Sequence, residues 1–557
     1  MGNSRSKSFP VDTSFKFPSP LPSWPQGEGF ASGIIDLGGL EVCQVTSFKK
    51  IWSTSQIGSN DIDVTFFEPS PIPNGFSMLG CYCQSNATPL FGWVLAGKDV
   101  SGGTLANPID YTLVWNSTKS SCYIWLPTPP EGYKPVGYTI TTSSTKPSLD
   151  KIKCVRADLT DELETDTLLW SSKKVNVYGI RPKVRGRQAQ GVSIGTFIVE
   201  KIGDASSLTS LSCLKNNNFQ NLISSMPNLA QIDALIQQYS PRFYFHPKVI
   251  TSTISSTSTS SSNSYFRQTY PKETYFPTST KWYFTNGVQL YHTGEESNPI
   301  PVDPTGSNLP QDGSNDGTYW LDLPVDETER ERVKKGDLKS CEAYLHVKPM
   351  LGATFTDLAI WIFYPFNGPS NAKLGLVDIS LGKIGEHIGD WEHVTLRVSN
   401  FDGRLYRVYF AQHSGGMWVD TPSLEFLDAS NKFAAYPSLN GHATYPAAGL
   451  VTQGTSVIGI RNDTAKSDMV FDVKENYSIM AAEYISDVIE PPWVNYTRKW
   501  GPKITYHAGT EIEKLQSSNR TVASAIGSLA SVLPREFSSE DGPTGPKQKV
   551  DWDGDER

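Results

Sequence analysis

The sequence has no apolar run of 18 or more residues and no charged-then-apolar leader at its start. A helix needs about 20 apolar residues to cross a bilayer, so we expect no membrane span and a cytosolic location. Clusters of lysine and arginine are also missing from this chain, whose net charge is −8. Nucleic acids are bound through such clusters, so no nucleic-acid partner is expected.

Cysteine is scarce and irregularly spaced. The seven cysteines are scattered along the chain and form no Cys-x-x-Cys pair. An odd, dispersed set predicts reduced thiols in hydrophobic cores rather than a disulfide framework or a zinc knuckle. A phosphate-binding loop and a His-Glu-x-x-His helix are also missing. The sequence therefore excludes the enzyme classes that depend on those two motifs.

Aromatic residues, glycine and proline are abundant instead. The chain contains 14 Trp, 24 Tyr and 25 Phe, with 45 Gly and 38 Pro. This composition favours many short strands and turns over long helices. A length of 557 residues is enough for two or three domains with large cores. We predict a mainly β globular protein and expect a monomer.

An internal repeat marks the first half of the chain. Two strand-turn-strand units recur about 58 residues apart, and neither can bury a face alone. They therefore predict a pseudo-symmetric β assembly, with a degenerate third unit expected from residues 29–52 together with 191–197. The matching segments are 65–69 with 123–127, and 72–80 with 129–137.

Composition divides the chain into five parts. Residues 1–28 are proline-rich and are predicted to be a flexible lead-in, and residues 29–200 hold the repeats. Residues 201–240 have apolar positions at helical spacing and are predicted to be a helical connector. Residues 241–540 form a second β-rich domain, and residues 541–557 form a turn-rich tail.

The first residues match a lipidation pattern. Gly2 follows the initiator methionine and Ser6 stands four positions later, as N-myristoylation requires. A disordered, serine-rich tail is the alternative. One acyl chain binds membranes only marginally, so a lipid-binding domain or basic residues would have to supply a second signal.

The stretch from Gly385 to His393 predicts a functional site. Five ionisable side chains and two glycines fall within these nine residues, directly before an alternating strand-like run. Side chains two apart on a strand share a face, so Asp390 and Glu392 can converge while Trp391 points into the packing. His387 is expected on a turn beside them. His413 and His442 follow or flank glycine-rich breaks and are expected to line the same pocket.

An imidazole with carboxylates is a ligand set for a divalent cation. Zn²⁺, Mn²⁺ or Fe²⁺ suits His387, Asp390 and Glu392, and Ca²⁺ or Mg²⁺ suits them if water and carbonyl oxygens complete the shell. The alternative is that Asp390 and Glu392 are ordinary strand-end acids paired with Arg397 or Arg404.

Blocks along most of the chain resemble the plant branch of the vacuolar protein sorting-associated protein 62 family. This resemblance implies a link to vacuolar or endosomal sorting and to proteins of the sorting machinery. Besides the repeats, it rests on residues 191–197, 343–349, 361–369, 387–393 and 441–446.

Two more distant resemblances imply the architecture. The repeat half is similar to the multivesicular-body-associated β-prism domain, whose relatives bind acidic membranes or belong to sorting proteins. The second half is similar to the necrosis- and ethylene-inducing-peptide-like cytolysins, β-sandwiches that use a divalent cation to engage sphingolipid head groups. The implied fold is an N-terminal pseudo-three-fold β-prism plus a C-terminal β-sandwich with peripheral helices.

The cytolysin motif Gly-His-Arg-His-Asp-Trp-Glu implies His387, Asp390 and Glu392 as metal ligands. This sequence departs from the motif at Gly389, which replaces the second histidine, and at Asn367, which stands near a cytolysin aspartate. Asn367 is therefore expected to line the pocket, and cytolytic activity is not implied.

Three functions remain open. The favoured hypothesis is a peripheral protein on the cytosolic face of a membrane, in which a cation helps to bind anionic or glycolipid head groups. A metal-dependent hydrolase is the second, with the cation activating water and Glu392 or a histidine acting as the base. A structural adaptor in vacuolar or endosomal sorting is the third.

Overall fold

The structure is a computed structural model. It describes residues 13–54, 63–117, 120–172, 174–202, 210–247, 272–311, 313–374, 377–413, 415–454, 458–503, 507–518, 526 and 542–557. Gly2, the predicted lipidation site, lies outside these residues. The described chain is mostly β, as predicted, with many antiparallel sheets and few helices.

Three small antiparallel sheets surround one core in the first half of the chain. Their central strands direct Phe66, Ile124 and Val177 into this core, and Phe66 and Ile124 are equivalent positions of the predicted repeat. The third sheet spans residues 163–201, so the third unit includes the expected segment 191–197 but not residues 29–52. The sheets are β3 (Phe48–Ser53), β4 (Val64–Pro69) and β6 (Tyr82–Ser85); β9 (Asp110–Asn116), β10 (Tyr123–Thr128) and β12 (Thr139–Thr141); and β15 (Leu163–Ser171), β16 (Val175–Pro182) and β18 (Phe197–Lys201).

A second ring of three shorter sheets encloses an adjacent core that includes Leu40, Val155 and Leu214. The last of these sheets includes a strand at 213–215, so the repeat domain extends beyond residue 200. Its sheets are β1 (Ile34–Asp36), β2 (Leu40–Val45), β5 (Ser77–Met78) and β7 (Val94–Asp99); β8 (Leu105–Ala106), β11 (Tyr133–Lys134) and β13 (Cys154–Arg156); and β14 (Thr160–Asp161), β17 (Gly191–Val192) and β19 (Cys213–Lys215).

A six-stranded sheet dominates the second half and buries both of its faces. One face packs on a four-stranded sheet and on the first helix, and the other face packs on an aromatic core around Trp391 and Trp500. The six strands, in spatial order, are β30 (Gly415–Asp420), β29 (Leu405–Gln412), β28 (His387–Ser399), β25 (Phe355–Asn367), β24 (Ala343–Met350) and β36 (Tyr477–Ala481).

Three further sheets flank this central sheet. They are β20 (Pro241–Tyr244), β31 (Phe433–Pro437), β32 (Thr444–Tyr445) and β35 (Val470–Asp472), which form the four-stranded packing layer; β26 (Asn371–Leu374), β27 (Val377–Ser380), β33 (Gly449–Gly454) and β34 (Ile458–Thr464); and β21 (Gln289–His292), β22 (Ile300–Pro301) and β23 (Tyr319–Asp322).

The described helices are short and peripheral. The predicted helical connector is a helix only over Leu229–Tyr239, where Asn228 and Gln231 form a reciprocal capping box. Its apolar stripe packs into the core of the second domain. The helices are α1 (Leu229–Tyr239), α2 (Thr280–Thr285), α3 (Glu327–Lys334), α4 (Ala508–Ser518) and a final short helix, Val550–Asp553.

The proline-rich lead-in is extended but not flexible over residues 13–28. Phe17 packs against Phe91 of the first domain and Phe426 of the second. The indole of Trp24 donates a hydrogen bond of 2.9 Å to the Asp402 carbonyl. The prediction of a free segment is therefore wrong for these residues, because aromatic side chains dock them across the domain junction.

Two other predictions can be compared with the structure. All seven cysteines are buried and carry free thiols, as predicted. Within the described ranges, no helix is both long and apolar enough to span a bilayer.

Candidate functional site

The predicted site lies at the start of β28, in the middle of the six-stranded sheet. Asp390 pairs with Tyr364 of β25, and Glu392 pairs with Ile362. Both carboxylates stand on the face that continues with Val394, whereas Trp391 packs on the opposite face. The predicted alternation is therefore confirmed, because it follows from the two-residue period of a strand.

His387 is the first residue of β28 rather than part of a turn, opposite Asn367 of β25. Gly389 makes this continuation possible, since its φ is +70° and a Cβ there would lie 2.5 Å from the Trp500 carbonyl oxygen. Asn367 donates its amide N–H to the Gly385 carbonyl at 2.7 Å, which fixes the neighbouring loop.

His442 contacts Asp390 directly. Its Nδ1 lies 3.3 Å from Asp390 Oδ2, and its Nε2 lies 3.1 Å from the Tyr275 carbonyl. Both ring nitrogens face oxygen atoms, so the imidazole is held at both ends. The ring is fully buried and stacks on Tyr364, with centroids 3.8 Å apart. These contacts hold Asp390 in one orientation.

The two carboxylates have opposite electrostatic surroundings. Burial raises the pKa of Asp390, but the hydrogen bond with His442 and the charge of His387 outweigh it, so this pKa lies below its ordinary value. Burial and the neighbouring charge of Asp390 hold the pKa of Glu392 well above its ordinary value. Two like charges in one buried place repel each other, which is why the pKa values of the two carboxyl groups are shifted in opposite directions.

Glu392 is the unusual member of this group. It is only 8 % exposed, and among the described residues no hydrogen bond or ion pair engages its carboxylate. A buried carboxylate without a partner is costly. This side chain therefore marks a place for a proton or a cation.

The predicted ligands are neighbours without forming a closed shell. Burial lowers the pKa of His387. The nearby negative charge of Asp390 raises this pKa and offsets part of the effect of burial. The alternative pairing with arginines is not found, because Arg397 pairs with Asp357 and Asp555 and Arg404 pairs with Asp402. A cation bound at Asp390 would require His387 and Glu392 to close on it by side-chain rotation.

Two other histidines of the sequence analysis make contacts of their own. His413 has a φ of +55°, and its Nε2 contacts the Asn462 amide oxygen at 3.1 Å. His393 lies on the opposite face of β28 from Glu392, where its ring stacks on Trp361. Within the described residues, one group of histidine and acidic side chains has its ligand atoms all within 4.8 Å of one another, namely His393, Asp551 and Glu556. Sequence reasoning missed it, since its acids come from the tail.

Two further features lie outside the predicted site. A cavity of about 430 Å³ lies at the junction of the two domains, lined among others by Trp93, Arg181, Tyr406 and Trp418. A Gly-x-Ser-x-Gly match at residues 191–195 spans the loop between β17 and β18. Since a nucleophile elbow needs a strand-to-helix turn, this match is not one.

The sequence matches one family over nearly its whole length. Residues 11–263 and 259–556 match the family of vacuolar protein sorting-associated protein 62. The chain belongs to this family. Membership in this family links the chain to vacuolar protein sorting. No curated protein matches the sequence.

Two solved structures have partial similarity. GNIP1Aa from Chromobacterium piscinae is 22 % identical with a TM-score of 0.28, over 36 % of this chain and 41 % of its own chain. Necrosis and Ethylene inducing Protein 2, from the causal agent of cocoa's Witches Broom disease, is 16 % identical with a TM-score of 0.17. That match covers 32 % of this chain and 72 % of the other. The present chain thus spans less than half the length of the first of these proteins.

Proposed function

We propose that this protein is a peripheral membrane protein of vacuolar or endosomal sorting that binds lipid head groups with the help of a divalent cation. The cation would be held by His387, Asp390 and Glu392. The observation that carries this proposal is the Glu392 side chain, which is buried beside a second acid and makes no hydrogen bond or ion pair with another residue in the described ranges.

The chemistry of the donor set supports a cation. Two carboxylates and an imidazole are ligands for Mn²⁺ or Zn²⁺, and for Ca²⁺ or Mg²⁺ when water completes the shell. His442 contacts the Asp390 carboxylate and holds it in place. Residues that hydrogen-bond to a metal ligand commonly orient it in this way. A cation with open coordination positions can bridge to the phosphate or hydroxyl oxygens of a head group.

The fold supports recognition at a surface. The first domain, called the prism because its sheets surround shared cores in threes, is joined to the second domain through the docked residues 13–28. A membrane contact made by one domain would therefore fix the orientation of the other. If Gly2 is acylated, this segment would connect the lipid to the domain junction.

Vesicle flotation tests the proposal with the purified full chain. We expect binding to vesicles that contain phosphatidylserine or a glycosylated sphingolipid in the presence of Ca²⁺ or Mn²⁺, and release by a chelator. Glu392→Gln should lose the cation-dependent part, whereas Glu475→Gln, an exposed change in the same domain, should keep it.

Two results would contradict the proposal. One is equal binding to neutral and anionic vesicles with and without chelator. The other is unchanged cation-dependent binding by Glu392→Gln. Hydrolysis of a head group that Glu392→Gln abolishes while still binding the metal would instead identify a hydrolase.

A further inference from the structure

Residues 542–557 form a strap against the second face of the six-stranded sheet, the face that carries His393. Trp552 is 1 % exposed and stacks on His346 of β24, with ring centroids 3.8 Å apart. Asp555 binds Arg397 of the sheet and also Arg185 of the prism, at 2.7 Å from the latter. The strap is therefore part of the folded body and contacts both domains.

Within this contact, His393, Asp551 and Glu556 converge. His393 Nε2 lies 3.1 Å from Glu556 Oε2, and all three ligand atoms lie within 4.8 Å of one another. With metal–ligand bonds of about 2.1 Å, neighbouring ligands of a tetrahedral ion lie about 3.4 Å apart. The three ligand atoms are close enough that small side-chain adjustments would let them share one small cation.

The surroundings orient these ligands. Thr395 donates its hydroxyl to Glu556 Oε1, which leaves Oε2 directed at His393. The imidazole of His393 is held by stacking on Trp361, with centroids 4.3 Å apart. Fixed oxygen and imidazole ligands of this kind are typical of metal centres with a supporting second layer of contacts.

The charges of the neighbouring side chains are compatible with a bound cation. Asp551 and Glu556 hydrogen-bond to each other through their carboxylates, which needs a proton or a cation between them. Lys348 lies 3.7 Å from Glu556 Oε1, while its ammonium donates to the Asp551 carbonyl at 2.7 Å. Lys348 therefore supplies one positive charge beside a pair of carboxylates.

We propose that His393, Asp551 and Glu556 form a second divalent-cation site, of the Zn²⁺ or Mn²⁺ class, that fastens the C-terminal strap to the sheet. One imidazole, two carboxylates and a water molecule complete a four-coordinate shell for such ions. The site lies on the opposite face of β28 from Asp390 and Glu392, and it does not depend on the proposed lipid function.

The test uses Zn²⁺ as the probe and the full chain. Zinc stoichiometry is measured by titration calorimetry, and the order of the strap is measured by hydrogen exchange of the peptide that covers residues 546–557. We expect Zn²⁺ to slow exchange at least tenfold in the wild type and in Glu392→Gln. Asp551→Asn should lose one zinc and show no slowing.

Asp553→Asn is the matched control, because Asp553 belongs to the same strap but pairs with Arg187 outside the cluster. It should bind zinc and respond to it like the wild type. The proposal is overturned if Zn²⁺ leaves strap exchange in the wild type unchanged, which would mean that the two acids share only a proton. It is also overturned if Asp551→Asn responds as the wild type does.

Anomalous scattering at the zinc edge covers the case in which Asp551→Asn does not fold. Wild-type crystals grown with Zn²⁺ should show a peak between His393 Nε2 and Glu556 Oε2. A map without a peak at that position would overturn the second site. A peak beside Asp390 and none here would leave the first proposal intact.

Discussion

Without a divalent cation, the Glu392→Gln variant should be more stable than the wild type. With a bound divalent cation, it should be less stable than the wild type. The reason is that Glu392 is buried beside Asp390 and its carboxylate makes no hydrogen bond or ion pair with the residues that the structure describes. Glutamine keeps the shape of the side chain and removes the charge. If Glu392 served only packing, the substitution would leave the melting temperature in chelator unchanged.

The magnitude follows from the direction of the pKa. A pKa that is higher in the folded than in the unfolded protein costs nothing at low pH, and the cost grows as pH rises above the unfolded value. The desolvation of a buried polar group that lacks a hydrogen-bond partner costs about 1 to 3 kcal/mol. Glu392 lies near Lys549, which offsets part of the cost of its charge, so we expect a difference on the order of 2 kcal/mol at pH 8.

Thermal unfolding measures this difference. In a chelator at pH 8, Glu392→Gln should melt about 2 °C above the wild type, and at pH 4 the two should melt together. A cation at about 100 times its Kd adds about 2.7 kcal/mol to the wild type alone, which reverses the order. Glu475→Gln should follow the wild type throughout.

The reasoning would be refuted if Glu392→Gln melted below the wild type in chelator at pH 8. It would also be refuted if added cation stabilised both proteins equally.

Three further changes test separate contacts. His442→Ala should weaken cation binding about 10- to 100-fold in a calorimetric titration, because the contact that holds Asp390 is lost; unchanged affinity would contradict this. Burial raises the pKa of Asp555, but two arginines outweigh it and lower it from 3.8 to about 2. Its ionised form therefore stabilises the strap above pH 4, and this stability is lost as pH falls towards 2. Asp555→Asn should destabilise the docked strap by about 2 kcal/mol and so speed its hydrogen exchange about 30-fold at pH 7. Equal exchange rates in the variant and the wild type would contradict a stabilising role of the ion pairs of Asp555 with Arg185 and Arg397. Gly403→Ala should expose residues 13–28 to a protease, since Gly403 has a φ of +74° and a Cβ there would lie 2.4 Å from the Trp24 ring.

The described residues show how the domains depend on their terminal segments. Asp555 joins an arginine of the prism to one of the sheet, and the docked lead-in contacts both domains as well. Buried ion pairs fix geometry more than they add stability. We expect the relative position of the two domains to be set by these segments.

Local patterns in the sequence determined the β character, the equivalent strands around Phe66 and Ile124, and the placement of Asp390 and Glu392 on one face of β28. Each depends on a spacing of two residues or on a repeat, and neighbours along the chain carry that information directly. Buried, unpaired thiols were predictable for a similar reason, because the spacing of the cysteines matched no pairing motif.

Only the tertiary structure decided which distant residues meet. His442 contacts Asp390 across 52 residues, and Glu556 reaches His393 across 163. The docking of residues 13–28 was likewise mispredicted, and so was the contribution of residues 29–52 to the third prism unit. Such contacts depend on how sheets stack and where a terminal segment finds an aromatic surface, and no periodicity in the sequence encodes that choice. The sequence alone thus placed Asp390 and Glu392 on one face of β28. The tertiary structure decided that His442 contacts Asp390 on that face and that Glu556 contacts His393 on the other.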